Sequence, residues 1–207
     1  MNNSVSIFGF GGHAKVIIES ALLNGFNIDY LFDDDSHKFN SNFGGMKITV
    51  PIDLNFVGSS VIAIGNNRIR KLVSEKVSNA NWQTIIHPSA IISKDVSIGN
   101  GSVIMAGAII QPGTIIGKHS IINTGACVDH DCVIGDFVHI APNCSLAGGV
   151  SVGEGTFIGI GSSIIPNKTI GSWTNVGAGS VIITDQPDNC TTLGVPAKPI
   201  KFNNEQK

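Results

Sequence analysis

The sequence predicts a small α/β domain followed by a three-sided parallel β-helix, and three observations predict it. From Ala90 to Asp185 the chain repeats every six residues, with Ile, Val or Leu at the third position of all sixteen hexads and Gly, Asn, Asp and Pro gathered in the last three positions. Ahead of the repeat, a β-rich run at Ser4 to Phe8 leads into Gly9-Phe10-Gly11-Gly12-His13 and an apolar helical pattern. Two further β-rich stretches end in polar clusters, Asp33-Asp34-Asp35 and Gly65-Asn66-Asn67-Arg68.

A hexad with one inward aliphatic residue buries nothing alone, but three hexads make a triangular coil whose aliphatic residues stack on those of the next coil. About eighteen residues therefore return the chain to the same place, and at the strand spacing of about 4.8 Å five coils stand roughly 24 Å tall. Helical and heptad periods are absent over this stretch. The chain divides into residues 1–84 and residues 85–207, with Asn79 to Ile86 as the crossing, His87-Pro88 as the hinge, and Lys201 to Lys207 as a polar, frayed end.

Bulk composition narrows the function. With 207 residues, 42% hydrophobic, 14% charged and a net charge of −2, the chain has the balance of a globular protein and no electrostatic footprint for nucleic acid. No apolar run reaches the length of a membrane span, and Met1-Asn2-Asn3-Ser4 lacks a basic leader, so a cytoplasmic location is expected. Cys127, Cys132, Cys144 and Cys190 form no CxxC pair and no column of the repeat, which points to free thiols.

In the first domain, strand, glycine turn and helix through Val16, Ile17, Ser20, Ala21 and Leu23 open a Rossmann-like unit. Glycines at Gly9, Gly11 and Gly12 let the backbone approach a phosphate, and the helix N-terminus adds amide donors. The second strand, Tyr30 to Phe32, ends at the acidic triplet, and the third, Ser60 to Ile64, ends at Gly65. Three strand ends thus converge on one crevice, sized for a single nucleotide and not a dinucleotide. Asp33 or Asp34 either contacts a base or ribose there or stands in an exposed turn. His13 either touches the ligand or caps its helix.

In the repeat, departures from the pattern carry the chemistry. His130 occupies a fifth, corner position between Asp129 and Asp131, where a core role is excluded. It reads as a general base oriented by a carboxylate, with Asp131 the first choice and Asp129 the second, or as a surface or subunit-contact histidine. Gly148 falls in the same corner one coil later, leaving space beside the base and an amide suited to a thioester oxyanion. His139 is at a second, outward position in the column Val103, Ile121, His139, Phe157, Asn175. Such an apolar column needs a cover, and another copy of the prism around a threefold axis supplies one. His139 lies on the face opposite the His130 corner, so a site using both is built from two subunits; a histidine bonded across that interface is the other reading. His119, His130 and His139 lie on different faces, which disfavours a zinc site.

From the GFGGHAK turn through DDDS and IAIGNNRIRK to VDHDCVIGDFVHIAP and the closing GVPAKPI, the chain resembles the bacterial nucleotide-sugar N-acetyltransferases. These join a small Rossmann-like domain to a left-handed β-helix and act on 4-amino-4,6-dideoxy sugars in bacillosamine, perosamine and viosamine biosynthesis; sialic acid O-acetyltransferases share the framework. The resemblance implies the left-handed winding, acetyl-CoA as cosubstrate, no metal, and a homotrimer with sites between subunits. It implies His130 as base with Asp131 as its partner, and His139 and Gly148 at the thioester. Gly194 to Lys198 would touch the acetyl-CoA pantetheine or phosphates, and Gly9, Gly11, Gly12, His13, Asp33, Asp34, Asn66 and Asn67 the nucleotide sugar. Some relatives carry Glu where this chain has Asp131. The expected reaction is direct acetyl transfer to a C4 amine; O-acetylation of a sugar or sialic acid, and a nonenzymatic nucleotide-sugar-binding trimer, are the alternatives.

Overall fold

The computed structural model describes residues 4–38, 42–43, 46–49 and 55–202. The first domain runs β1 (Ser4–Phe8), α1 (Gly12–Leu23), β2 (Asn27–Phe32), β3 (Asn42–Phe43), β4 (Met46–Thr49), β5 (Ser59–Ile62), α2 (Asn67–Lys76) and β6 (Asn81–Trp82). They form one sheet of order β3-β4-β2-β1-β5-β6, parallel except for the β3/β4 pair. Strand alternation explains the two layers on it. Val5 and Ile7 of β1 pack with Ala14, Ile17, Ile18 and Ala21 of α1. Phe8 points the other way, to Val73 and Val77 beside α2, and stacks on Phe32 at 4.7 Å with Phe56 and Trp82 edge-on. The sequence pattern misses β3, β4 and β6, each too short to show a period.

The prism has three parallel sheets of eight, six and five strands, the largest closed by an antiparallel hairpin. Its first strand is Ile85–Ile86, paired with Val103–Ile104, so coiling starts one hexad before Ala90, at Thr84 to Ser89. The closing hairpin joins Cys190–Gly194 to Ala197–Phe202. Lys201 and Phe202, expected in a frayed end, are strand residues; residues 203–207 lie outside the described chain. Third-position side chains from Ile104 to Ile182 fuse into one core. First positions also point inward and hold small residues, whose buried hydroxyls satisfy turn carbonyls: Ser102 donates to Gly117, Thr114 to Asp129, Ser120 to Gly135 and Thr156 to Gly171. Sixth positions take left-handed backbone at the corners, which explains their Gly, Asn and Asp.

The column Val103, Ile121, His139, Phe157, Asn175 forms in the expected register. At its lower end the cover is this chain's own first domain, whereas Phe157 and Asn175 at its upper end line an open groove. Ile85 and Val103 are buried in the same cluster as α1 and β1 of this chain's own first domain, and Asn24 at the end of α1 donates to the Ile86 carbonyl at 2.8 Å.

The second junction is polar and is carried by α2. Arg70 is 1% exposed and donates to Ile64 O and Gly65 O in the first domain and to His119 O, Phe137 O and Val138 O in the prism. Asn67 donates to Gly155 O and Thr156 O and accepts from Arg70. Lys71 pairs with Glu154 at 2.6 Å, and Arg68 lies 4.6 Å over the Trp173 ring. The first domain is thus bolted to one face of the prism, and among the described residues it leaves the other two bare.

Candidate active site

A cleft of about 440 Å³ opens where the strand ends of the first domain converge, lined by Gly9, Gly11, Gly12, His13, Asp33 and Asp34 among others. Gly9 has φ +95, and a Cβ there would collide with Ile64. At Gly11 and Gly12 an added Cβ meets nothing within 4 Å, so these two keep the N-terminus of α1 open. That N-terminus has no side-chain cap and no acidic residue in its first turn. Asp33 is spent inside the protein: it accepts from Phe10 N at 2.6 Å, from Asp35 N at 2.9 Å and from the Lys38 ammonium. Burial alone would raise its carboxyl, but those hydrogen bonds outweigh it and hold the pKa below the ordinary value. Asp33 therefore ties the glycine turn to β2, while Asp34 is an exposed residue of the cleft lining.

Asn66 and Asn67 do not join this cleft. Asn66 caps α2 by accepting from Ile69 N at 3.1 Å, and the amide of Asn67 is fully used in the domain junction. Both border a neighbouring hollow of about 360 Å³ with Arg68, Trp173 and Asn175, separated from the first cleft by Gly65.

His139 sits at the junction. Its Nδ1 faces Gly65 O at 3.4 Å and its Nε2 faces Asn123 Nδ2 at 3.0 Å. The Asn123 oxygen accepts from Thr124 N, which fixes the amide so that its NH₂ donates to Nε2. The proton of His139 is then on Nδ1, and both ring nitrogens have partners within the chain. His13 lies 6.0 Å away between ring centroids, with its Nε2 buried and without a partner among the described residues. Burial first, and then the nearby Arg70 cation, lowers His13 to about 4 and His139 to about 3; His119, packed between Trp82 and Phe137, falls to about 4 for the same reasons.

These neutral histidines make stability depend on pH. Their folded pKa values lie below the unfolded value near 6.5, so the unfolded chain binds more protons, and stability is lost as pH falls from about 6.5 towards 4. Thermal melting followed from pH 7.5 to 4 is expected to show a steep fall in Tm across that window. A flat Tm to pH 4.5 would contradict the burial of these rings.

On the far side of the prism, at the corner between its other two faces, His130 Nδ1 lies 2.8 Å from Asp131 Oδ2. Asp129 instead accepts from the His130 backbone N at 2.8 Å and shapes the turn. The carboxylate fixes the proton on Nδ1, so Nε2 is an acceptor. The Asp131 hydrogen bond first, and the Asp129 charge second, raise the His130 pKa. The pair stands in solvent, with side chains 59% and 73% exposed. Gly148 does not leave open space beside the base, as the repeat suggested: the imidazole already fills it, and a Cβ on Gly148 would lie 2.5 Å from Cε1 and Nε2. Gly148 N–H has no acceptor among the described residues. Thr114 holds this corner from within, donating to Asp129 O at 2.7 Å and accepting from Cys132 N. Gly113, one coil below, leaves room for the Asp131 carboxylate.

An apolar groove runs from His139 past Phe157 and Gly159 to Gly177 and Thr191, along the covered face towards the hairpin. Gly194 and Lys198 are in that hairpin, beyond the groove's lining. Among the described residues no cluster of three or more His, Cys, Asp or Glu is placed to hold a metal ion, and no helix is long and apolar enough to cross a membrane. Sequence reading missed Arg70 and Asn123. Asn123 had a signal, standing two residues beyond Ile121, the register partner of His139, and hence on the same outward face.

Comparison with known proteins fits this geometry. Residues 4–77 match the PglD N-terminal domain, and residues 95–130 and 131–159 match the bacterial transferase hexapeptide repeats. UDP-N-acetylbacillosamine N-acetyltransferase of Bacillus subtilis (strain 168) is 44% identical over 118 residues, and that match spans 50% of this chain and 51% of the relative. A variant of perosamine N-acetyltransferase from Caulobacter crescentus, solved with CoA and GDP-perosamine, superposes with a TM-score of 0.91 at 40% identity, covering 96% of this chain and 97% of that one. The acetyltransferase domain of PglB from Neisseria gonorrhoeae FA1090, solved with acetyl coenzyme A, gives 0.89 at 36% identity, covering 97% and 100%. The chain belongs to the family of nucleotide-sugar N-acetyltransferases that join a PglD-type N-terminal domain to a hexapeptide-repeat β-solenoid.

Proposed function

We propose that this protein transfers the acetyl group of acetyl-CoA to the C4 amine of a nucleotide-linked 4-amino-4,6-dideoxy sugar, with His130 as general base. The observation that carries the reading is the His130–Asp131 pair, whose imidazole is held at Nδ1 by the carboxylate and packs against Gly148. The neutral amine attacks the thioester carbon while Nε2 takes its proton; the C–N bond forms, the C–S bond breaks, and Nε2 returns the proton to the departing sulfur so that coenzyme A leaves as thiol. In this reading the Gly148 N–H, which has no acceptor among the described residues, receives the carbonyl oxygen as it gains charge. Nucleotide phosphates fit the open N-terminus of α1, with His13 and Asp34 on the walls of that cleft. The apolar groove beside His139 suits the pantetheine arm, leading towards Gly194 and Lys198.

His130 is on the opposite side of the prism from that cleft and groove, so we place the complete site between subunits of a trimer. Support comes from the bare faces flanking the His130 corner. Ile91 is 64%, Ile115 51% and Val133 47% exposed at outward positions, an uncovered apolar surface of the kind that subunit contacts remove.

The reading is tested by NMR of the product formed from acetyl-CoA and the amino sugar. An amide at C4 is the expected result; an ester on a ring hydroxyl, or unchanged sugar, would exclude it. Two further outcomes follow. Gly148→Ala adds a methyl where the backbone tolerates one but the imidazole does not, and is expected to cut kcat by about 10²-fold with Tm held, because a misplacement near 1 Å costs that much. The acidic limb of the kcat profile is expected above pH 6.5, since the base works only when unprotonated and its pKa is raised. Asp131→Asn should move that limb to lower pH.

A further inference from the structure

Arg70 is a fully buried cation whose donors all end on neutral oxygens: among the described residues it has no carboxylate partner. The places those donors end are informative. Nη1 reaches Ile64 O at 3.0 Å and Gly65 O at 3.3 Å, and Gly65 O is the atom that His139 Nδ1 faces. Nη2 reaches Phe137 O at 2.8 Å and Val138 O at 3.4 Å, the carbonyls immediately before His139 in the chain. One guanidinium therefore grips both the backbone from which the His139 ring projects and the carbonyl that receives its proton. The same carbonyl belongs to Gly65, which lines the first-domain cleft.

The consequence runs one residue further. With the proton on Nδ1, Nε2 accepts from Asn123, whose oxygen is bound by Thr124 N at 2.8 Å. Three of the four hydrogen-bonding directions of the Asn123 amide are thus fixed, since the Thr124 hydroxyl donates to the same oxygen at 3.3 Å, and its remaining N–H has no acceptor among the described residues. The opposite tautomer would set an N–H against an N–H and release that amide.

We infer that Arg70 is a positioning residue for acetyl transfer: by clamping the Gly65 turn to the peptide before His139 it sets the Nδ1–H tautomer, and so fixes the imidazole that lines the groove against the Asn123 amide. The inference rests on the reading of that groove as the acetyl-CoA site. A planar fork spans both Gly65 and Val138, which a lysine ammonium does not do, so the same contacts that dock the domains also fix the surroundings of the His139 ring. Arg70 and His13 are the charged or titratable groups nearest the ring, and both disfavour its protonated form.

The test is long-range 1H–15N correlation of 15N-histidine-labelled protein, full chain, at pH 7.5, with Arg70→Met and Arg70→Lys alongside. In the unaltered protein His139 is expected neutral with the proton on Nδ1. In both variants the signal is expected to move towards the Nε2–H form, and kcat to fall about tenfold or more while KM for either substrate changes by less than about threefold. A His139 proton on Nε2 in the unaltered protein would overturn the inference without any variant, as would a folded variant with an unchanged tautomer. A shifted tautomer with unchanged kcat would remove the positioning role and leave the acetyl-transfer reading intact. Absence of acetyl transfer by the unaltered protein would remove that reading, visibly separate from the tautomer result.

Discussion

His130→Ala is expected to lower kcat by about 10²–10⁴-fold, the usual contribution of a positioned general base, with both KM values and Tm little changed. The stability half of this expectation is as definite as the kinetic half. The side chain is 59% exposed, its ring is held by Asp131 and rests over Gly148, and its loss opens no cavity. A histidine that served only as a subunit contact would behave in the opposite way, with dissociation preceding any loss of rate. Kinetics at saturating substrate, with the oligomeric state measured at the same concentration, separates the two. A loss of less than tenfold in an assembled enzyme would remove His130 as base.

Arg70→Ala is expected to lower the unfolding free energy by about 3 kcal/mol or more, because each buried carbonyl left without a donor costs about 1–3 kcal/mol. The orphaned acceptors are Ile64 O, His119 O and Phe137 O, with Asn67 losing a partner as well. Burial pulls the guanidinium down to about 9, so it remains charged near neutrality and its carbonyl cage is what makes that charge tolerable. Urea unfolding at pH 7.5 measures the change. A difference below about 1 kcal/mol would mean that water or rearrangement replaces the cage.

The prism was legible because its code is local. One aliphatic residue per hexad and a turn residue at each corner fix the register, and the column through His139 and the meeting of Gly148 with His130 follow from counting. What covers a face is not local. Val103 read as part of a subunit interface because an outward apolar column gives no sign of its partner, and only the docking of α1 assigns it to the same chain. Arg70 was illegible for a related reason. On a helix, three residues from Asn67, it looks like a solvated cation, and its burial depends on carbonyls of His119 and Phe137 that a residue pattern does not display. The acidic triplet shows the limit within one strand end: the sequence could not divide Asp33 from Asp34, whereas the hydrogen bond to Phe10 N does.

The central claim is that the protein acetylates an amine on a nucleotide sugar. Thiol release from acetyl-CoA, measured with UDP-, dTDP- and GDP-linked 4-amino-4,6-dideoxy sugars and with their 4-hydroxy counterparts, tests it most directly. The account predicts release with at least one amino sugar and none with the matching hydroxy sugar. Silence across the panel, or release with the hydroxy sugars alone, would contradict it.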